Sequence, residues 1–400
     1  MRYDTLIIGG GLSGLTAGLR LQKAGQKTAI VSAGQNALHF ASGAFGVLND
    51  GVTLPEGHPY SRIPLDKYLD EVRPFFAESG VRLGGDPHKN GWRLTPSGSF
   101  IEGRFSLEEA TLFASPDDLK AGKALIVNIP GFLDFNTAFL ADGLGKRGIA
   151  TRIGNLDIEE LSRLRTSPSE MRSVNIARVA DTVPDKVIAA VKALLQEEDL
   201  VILPQVFGLS DASVPVRIAA GIPARVVFVG TMPPSVPGIR TQMSLKRAYE
   251  SAGGTFLMGD EAVSPVMDAS RVKALRTVNL GDYLLQADRY ILSTGRFFSK
   301  GLASSMQKVC EPLFGLDVRF PEDRTRWYDL DFFAPQAFGG FGVVTDAKFR
   351  AVKDGRVIEN LYAAGSVLAD CHAKELGCGG GVAILTAFAA ADIILEASRI

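Results

Sequence analysis

The chain predicts an α/β fold built on a doubly wound, mostly parallel sheet, and three stretches of its 400 residues carry that prediction. "YDTLIIGGG" (Tyr3–Gly11) is a short apolar run that ends in a glycine turn, the pattern of a fully buried strand. "LSGLTAGLRLQKAG" follows, with Leu12, Leu15 and Leu19 at helical spacing and a stop at Gly25. "KTAIV" then reads as a second strand. Strand, helix and strand in that order form a βαβ unit, which opens a parallel sheet with helices on its faces.

Farther along, the pattern is interrupted and resumes. From His58 to Pro116 it is broken by Pro, Gly and Asp, and only "LDKYLDEVRPFFAESG" looks helical. "KALIVNIPG" and the amphipathic "NTAFLADGLGKRG" restart the alternation, followed by "DLVILPQVFG" and "ARVVFVGTMPPSVPG", each a strand ending in a Pro/Gly loop. Between Asp260 and Leu292 the spacing suggests a hairpin or meander, with Asp268-Ala269-Ser270 at a turn, feeding a buried strand "RYILSTG". The last unit is "ENLYAAGSV", a loop, and a glycine-opened helix. The expected organisation is a discontinuous, Rossmann-like nucleotide-binding domain over 1–57 and 240–400, with a second α/β domain inserted over 58–239.

Composition narrows the function classes. Hydrophobic residues at 46% and charged ones at 22% are ordinary for a globular chain. A formal net charge of −1 gives no electrostatic footprint for nucleic acid or an anionic membrane. The spacing of Cys310, Cys371 and Cys378 matches no disulfide framework, zinc or iron–sulfur pattern, so no metal site is expected. "MRYDTLIIGGG" does not read as a secretory signal, and "VAILTAFAAADIIL" is short for a span and interrupted by Asp392. A cytoplasmic protein that meets a membrane only through a partner is the expectation.

Gly9, Gly11 and Gly14 satisfy G-x-G-x-x-G between the first strand and helix. The first glycine permits the tight turn, the second lets backbone approach a phosphate, and the third lets helix and sheet pack closely. The helix then offers unpaired N–H groups to an anion. An acid for the adenosine ribose belongs about 20 residues on. That neighbourhood reads Val31-Ser32-Ala33-Gly34-Gln35. Ser32 and Gln35 can bond a hydroxyl, but there is no carboxylate, and no arginine for a 2′-phosphate.

Three other segments point to a flavin. "ALHFASGAFG" places Ser42 and Gly43 just after the second strand. "RYILSTGRFF" ends in Ser293-Thr294-Gly295, and it resembles the Ala-Thr-Gly turn of two-domain flavoproteins. "NLYAAGSVLADCHAKELGCGGGVAILTAFAAA" resembles their closing element: Gly365, then Ser366 where those proteins usually have an acid, then Gly379, Gly380 and Gly381 opening a helix. In such proteins that helix N-terminus points at the flavin ring.

Nearly the whole chain is similar to the family of B subunits of anaerobic glycerol-3-phosphate dehydrogenases. The stretches that carry the resemblance are "GGGLSGL", "ALHFASG", "SVNIARVAD", "PPSVPGIR", "FFAPQ" with "FGVVTD", "IENLYAAGSVL" and "GCGGGV". The resemblance implies FMN as cofactor, an FAD-bearing A subunit and an iron–sulfur C subunit as partners at the membrane, and oxidation of glycerol 3-phosphate with electrons passing towards quinone. FMN has no second ribose and would make little use of an acid near Ser32. A G-x-G-x-x-G turn suits a pyrophosphate, so FAD is the alternative. A stand-alone NAD- or FAD-dependent reductase and a non-catalytic scaffold subunit are the rival readings.

Oxidising a secondary alcohol needs a base and a grip on the phosphate. Of the four histidines, His39 precedes Ser42-Gly43 and His372 lies in the loop before Gly379, so these two are the candidates; His58 and His88 sit in Pro/Gly-rich loops. Arg240, after "PPSVPGI", is the leading phosphate candidate, with Arg178 and Arg62 behind it.

Overall fold

The computed structural model describes residues 1–41 and 43–398. The chain divides into two compact units: 1–37, 51–80 and 244–400 form unit 1, and 38–50 with 81–243 form unit 2.

Unit 1 is organised by an eight-stranded sheet. Its parallel strands lie in the order Thr255–Met258, Thr28–Ser32, Arg2–Ile8, Leu285–Leu292, Arg356–Ala363. Numbered by appearance along the chain this is 3-2-1-4-5, the Rossmann order. The strands Thr28–Ser32 and Arg2–Ile8 are buried almost throughout, as apolar runs without alternation must be when helices cover both faces. The hairpin Ala262–Asp268 with Arg271–Thr277 joins antiparallel, and its turn is where the sequence placed it, with Ala269 at φ +48°.

Two helices pack against each other in unit 1, Leu12–Lys23 and the terminal Gly379–Ala397. The terminal helix is the one helix among the described residues long and apolar enough to cross a bilayer, and most of it is buried in the protein. A third helix, Leu65–Glu78, stacks Phe75 on Phe388 of the terminal helix at a ring distance of 5.0 Å. Segment 51–80 thus belongs with the nucleotide-binding unit, although the sequence placed 58–80 in the insertion.

Unit 2 has its own parallel sheet, in the order Arg225–Val229, Leu200–Pro204, Lys123–Asn128, Ala150–Asn155. Its core is aliphatic, with Leu125, Ile126, Val201 and Ile202 fully buried. Segment 38–50 joins this unit because Ala44–Phe45 pairs with Phe105–Leu107.

Candidate functional site

In unit 1 the sheet order reverses between the first strand and Leu285–Leu292, and open α/β sheets bind ligands at the carboxyl ends flanking such a point. Ile8 runs into Gly9 there, and Leu292 into Ser293. Ser293 N donates to Ile8 O at 2.8 Å, and its hydroxyl reaches the Ile8 and Gly9 carbonyls at 3.0 Å each. Gly9 has φ +112°, and a Cβ on it would lie 2.3 Å from Ser293 O. A Cβ on Gly14 would lie 1.8 Å from Gly9 O. Both glycines are therefore required by the fold. Gly11 is different: the nearest atom to its Cβ position is 3.9 Å away.

Gly11 is also the N-cap of the first helix, with no side-chain cap and no acid in the first turn. Its leading amides are left for an external acceptor. Ser32 is buried, and its Cβ lies 2.7 Å from the Cβ position of Gly10, so it supports the turn from below. Gln35 is exposed. Asn36 Nδ2 donates to Gly10 O at 2.8 Å and ties the end of the second strand to the turn.

The other flavin-type segments of unit 1 meet this turn. Gly365 has φ +80°, and a Cβ on it would come 2.8 Å from Ser13 Cβ and 3.9 Å from Ala383 Cα. The starts of the first and terminal helices thus both flank Gly365. The Gly365 amide donates to Thr386 Oγ1 at 2.8 Å, one turn and more into the terminal helix. Gly295, at φ +76°, has Ser366 Oγ 3.7 Å from its Cβ position, so the Thr294-Gly295 and Gly365-Ser366 turns are neighbours. Gly379, Gly380 and Gly381 open the terminal helix, whose N-cap Cys378 makes no side-chain cap and whose first turn has no acid.

These residues suit a flavin on chemical grounds. Ser13 Oγ, Thr16 Oγ1 and Thr294 Oγ1 are buried with no partner among the described residues, and buried hydroxyls are normally bonded. Two uncapped helix starts beside unpartnered hydroxyls match a ligand with a phosphate and a polyhydroxylated chain.

His58 lies under the start of the terminal helix and is fully buried. Tyr60 N donates to its Nδ1 at 3.2 Å, which puts the ring proton on Nε2, facing Cys378 Sγ at 3.8 Å. Burial pushes its pKa down to about 4; the Cys371 backbone opposes this, while His372 and Arg62 add to it. His58 is therefore a neutral packing histidine. Burial pushes the Cys371 and Cys378 thiols up to about 12. His372 is half-buried at φ +42°, its Nε2 2.5 Å from the Cβ position of Gly340, so it sits over bare backbone.

The remaining candidates belong to unit 2. Ser42 lies outside the described residues. Gly43 is buried at φ +76° with Pro237 Cβ 2.9 Å from its Cβ position. His39 is half-buried, and its carbonyl accepts from Ser235 N at 2.7 Å. Arg240 is 7% exposed, paired with the buried Glu109 and bonded to the Gly208 and Phe207 carbonyls, the latter at 3.3 Å. Its donors are engaged by the protein, so it forms an internal ion pair and presents no open fork to a phosphate.

Sequence reading missed Ser13, Asn36, Thr386 and the engagement of Arg240. A threonine amid alanines and leucines in the terminal helix was the one visible signal among them.

The FAD binding domain family model matches residues 4–382, so the chain is a flavoprotein of the FAD-binding-domain class. The B subunit of the anaerobic glycerol-3-phosphate dehydrogenase of Pectobacterium carotovorum subsp. carotovorum is 38% identical over 420 residues, covering 99% of each chain. Its namesake from Yersinia pseudotuberculosis serotype I is 35% identical over 425 residues, again covering 99% of both. The chain belongs to the family of anaerobic glycerol-3-phosphate dehydrogenase B subunits.

Proposed function

We propose that this chain is the flavoprotein subunit that oxidises sn-glycerol 3-phosphate to dihydroxyacetone phosphate and sends the electrons to partner subunits and on towards quinone. The observation that carries the reading is the meeting of two uncapped helix starts at Gly365, beside the unpartnered Ser13 and Thr294 hydroxyls.

A flavin bound there supplies a two-electron acceptor for the hydride of a secondary alcohol. The chain's own groups do the rest. First-turn amides after Gly11 hold phosphate, and the Gly379–Gly381 amides favour negative charge in front of the terminal helix. His372 is assigned the hydroxyl proton, because it is half-exposed in the loop leading to that helix whereas His58 is buried and neutral. Partners are an FAD-bearing A subunit and an iron–sulfur C subunit, through which the protein reaches the cytoplasmic face of the membrane. The glycine turn and the matched family favour FAD, and the lack of a carboxylate between Ser32 and Gln35 favours FMN.

An acid extract of the purified chain, resolved by chromatography, identifies the flavin; an empty extract sinks the reading. Anaerobic mixing with glycerol 3-phosphate should bleach the flavin absorbance. Bleaching only when the A subunit is added would make this chain an electron relay.

A further inference from the structure

The short turn Pro59–Arg62 of unit 1 carries a guanidinium that the fold positions but does not neutralise. Arg62 Nη1 donates to Thr345 Oγ1 at 2.8 Å and to Asp346 O at 3.0 Å. Its planar head lies 4.5 Å from the ring centroid of Phe349, which is fully buried and held at φ +58°. Among the described residues Nε is buried with no acceptor, Nη2 has no partner, and no carboxylate lies within ion-pair distance. Burial lowers its pKa, with the Asp370 and Asp346 carboxylates acting only from longer range.

A half-buried, rigidly held cation without a counter-ion is costly, and structures keep one where a ligand supplies the charge. The surroundings fit that explanation. Arg319, paired to Asp370, adds a second positive charge near Arg62. Asp370 and His372 both occupy the left-handed region, at φ +61° and +42°, in the loop that runs to the terminal helix. Strained non-glycine backbone of this kind clusters where ligands are held. His58 contributes no charge, and Asp346 is taken up by Arg350 at 2.7 Å. Arg62 and Arg319 against Asp370 leave a net positive nest.

We propose that Arg62 anchors an anion subsite that takes the phosphate of a phosphomonoester substrate, at the guanidinium edge the protein leaves without an acceptor. The subsite rests on the functional reading above and deepens it, since it assigns to Arg62 the contact for which the sequence favours Arg240. An arginine suits the task better than a lysine, because its planar fork matches two phosphate oxygens.

The test uses the flavin-loaded chain and the assembled dehydrogenase, each as wild type, Arg62→Gln and Arg62→Lys. In steady-state assays Arg62→Gln should raise KM for glycerol 3-phosphate by about a hundredfold while kcat falls less than about threefold, with Arg62→Lys in between. Calorimetric titration with inorganic phosphate should show binding to wild type and none to Arg62→Gln at the same concentrations. Flavin content should be equal in all three. A KM within twofold of wild type overturns the proposal, as does loss of flavin with KM unchanged, which would mean that Arg62 serves the cofactor's phosphate. Should Arg62→Gln fail to fold, the KM of Arg62→Lys decides alone. If wild type binds phosphate through Arg62 but glycerol 3-phosphate never reduces its flavin, the subsite stands and the functional reading falls.

Discussion

Arg20 forks onto Asp392, with Nε to Oδ1 at 2.6 Å and Nη2 to Oδ2 at 2.9 Å. The pair links the first helix to the terminal one, and the third arginine nitrogen reaches Glu71 of Leu65–Glu78 at 2.7 Å. Tyr68 adds a bond to Asp392 at 3.1 Å, and the guanidinium lies 4.5 Å from the Phe388 ring centroid. One charge cluster therefore fixes the mutual position of the two helices whose N-termini frame Gly365.

Asp392→Asn should loosen that clamp. The two charges are about four-fifths buried, so the loss lies below that of a fully buried pair, at about 2 kcal/mol. Urea unfolding should show a lower midpoint with an unchanged slope, and flavin retention should weaken in parallel. Full stability in the variant would remove the clamp from the account.

The glycines of the first turn should divide into two kinds. Gly14→Ala places a carbon 1.8 Å from Gly9 O and should yield little folded protein. Gly11→Ala meets nothing nearer than 3.9 Å and starts from φ −79°, so it should fold normally and lose flavin affinity, because the added methyl narrows the approach of a phosphate. Thermal melts with and without added flavin separate the two effects. Equal flavin affinity in Gly11→Ala and wild type would argue against phosphate at this turn.

Thr386 and Ser13 should also behave differently. Thr386→Val strips the buried Gly365 amide of its acceptor and should cost about 1–3 kcal/mol. Ser13→Ala removes a hydroxyl with no protein partner, so stability should hold or rise slightly while flavin dissociation quickens. A Ser13→Ala variant that binds flavin as tightly as wild type would mean the hydroxyl is not a ligand contact.

His58 gives a pH dependence of definite sign. The unfolded chain protonates it near 6.5 and the folded chain only at about 4. Between those values the unfolded state binds more protons, so stability is complete above the higher value and is lost as pH falls towards the lower one. The slope reaches about 1.4 kcal/mol per pH unit and the total is about 3 kcal/mol. His58→Gln should flatten the curve of urea midpoints between pH 4 and 7. An unchanged slope in that variant would show that other groups set it.

What the sequence revealed was what is local. Gly9, Gly11 and Gly14 announce their turn because strand, turn and helix are contiguous, and Asp268-Ala269-Ser270 announces its hairpin for the same reason. The terminal helix was legible as buried because an apolar run with one aspartate has few other places to go. The rest depends on partners far away in the chain. Ala44–Phe45 joins unit 2 through a strand some sixty residues on, which no window around it shows. Arg240 looks available in sequence because Glu109, its partner, stands 131 residues earlier. Arg62 is informative for the acceptor it lacks, a property that only three dimensions reveal.

The sheet order also has a bearing on biosynthesis. The strand Arg2–Ile8 is synthesised some 280 residues before its neighbour Leu285–Leu292, and the helix that frames the other side of Gly365 comes later still. Unit 2 draws all its chain from that interval and can consolidate first, since domains tend to fold as units while the chain grows. A nascent chain stopped before Gly379 would hold a finished second unit and every strand of the Rossmann sheet, and would lack the helix that covers it. If the Gly379–Gly381 amides hold the flavin, its capture should wait until translation has passed this helix.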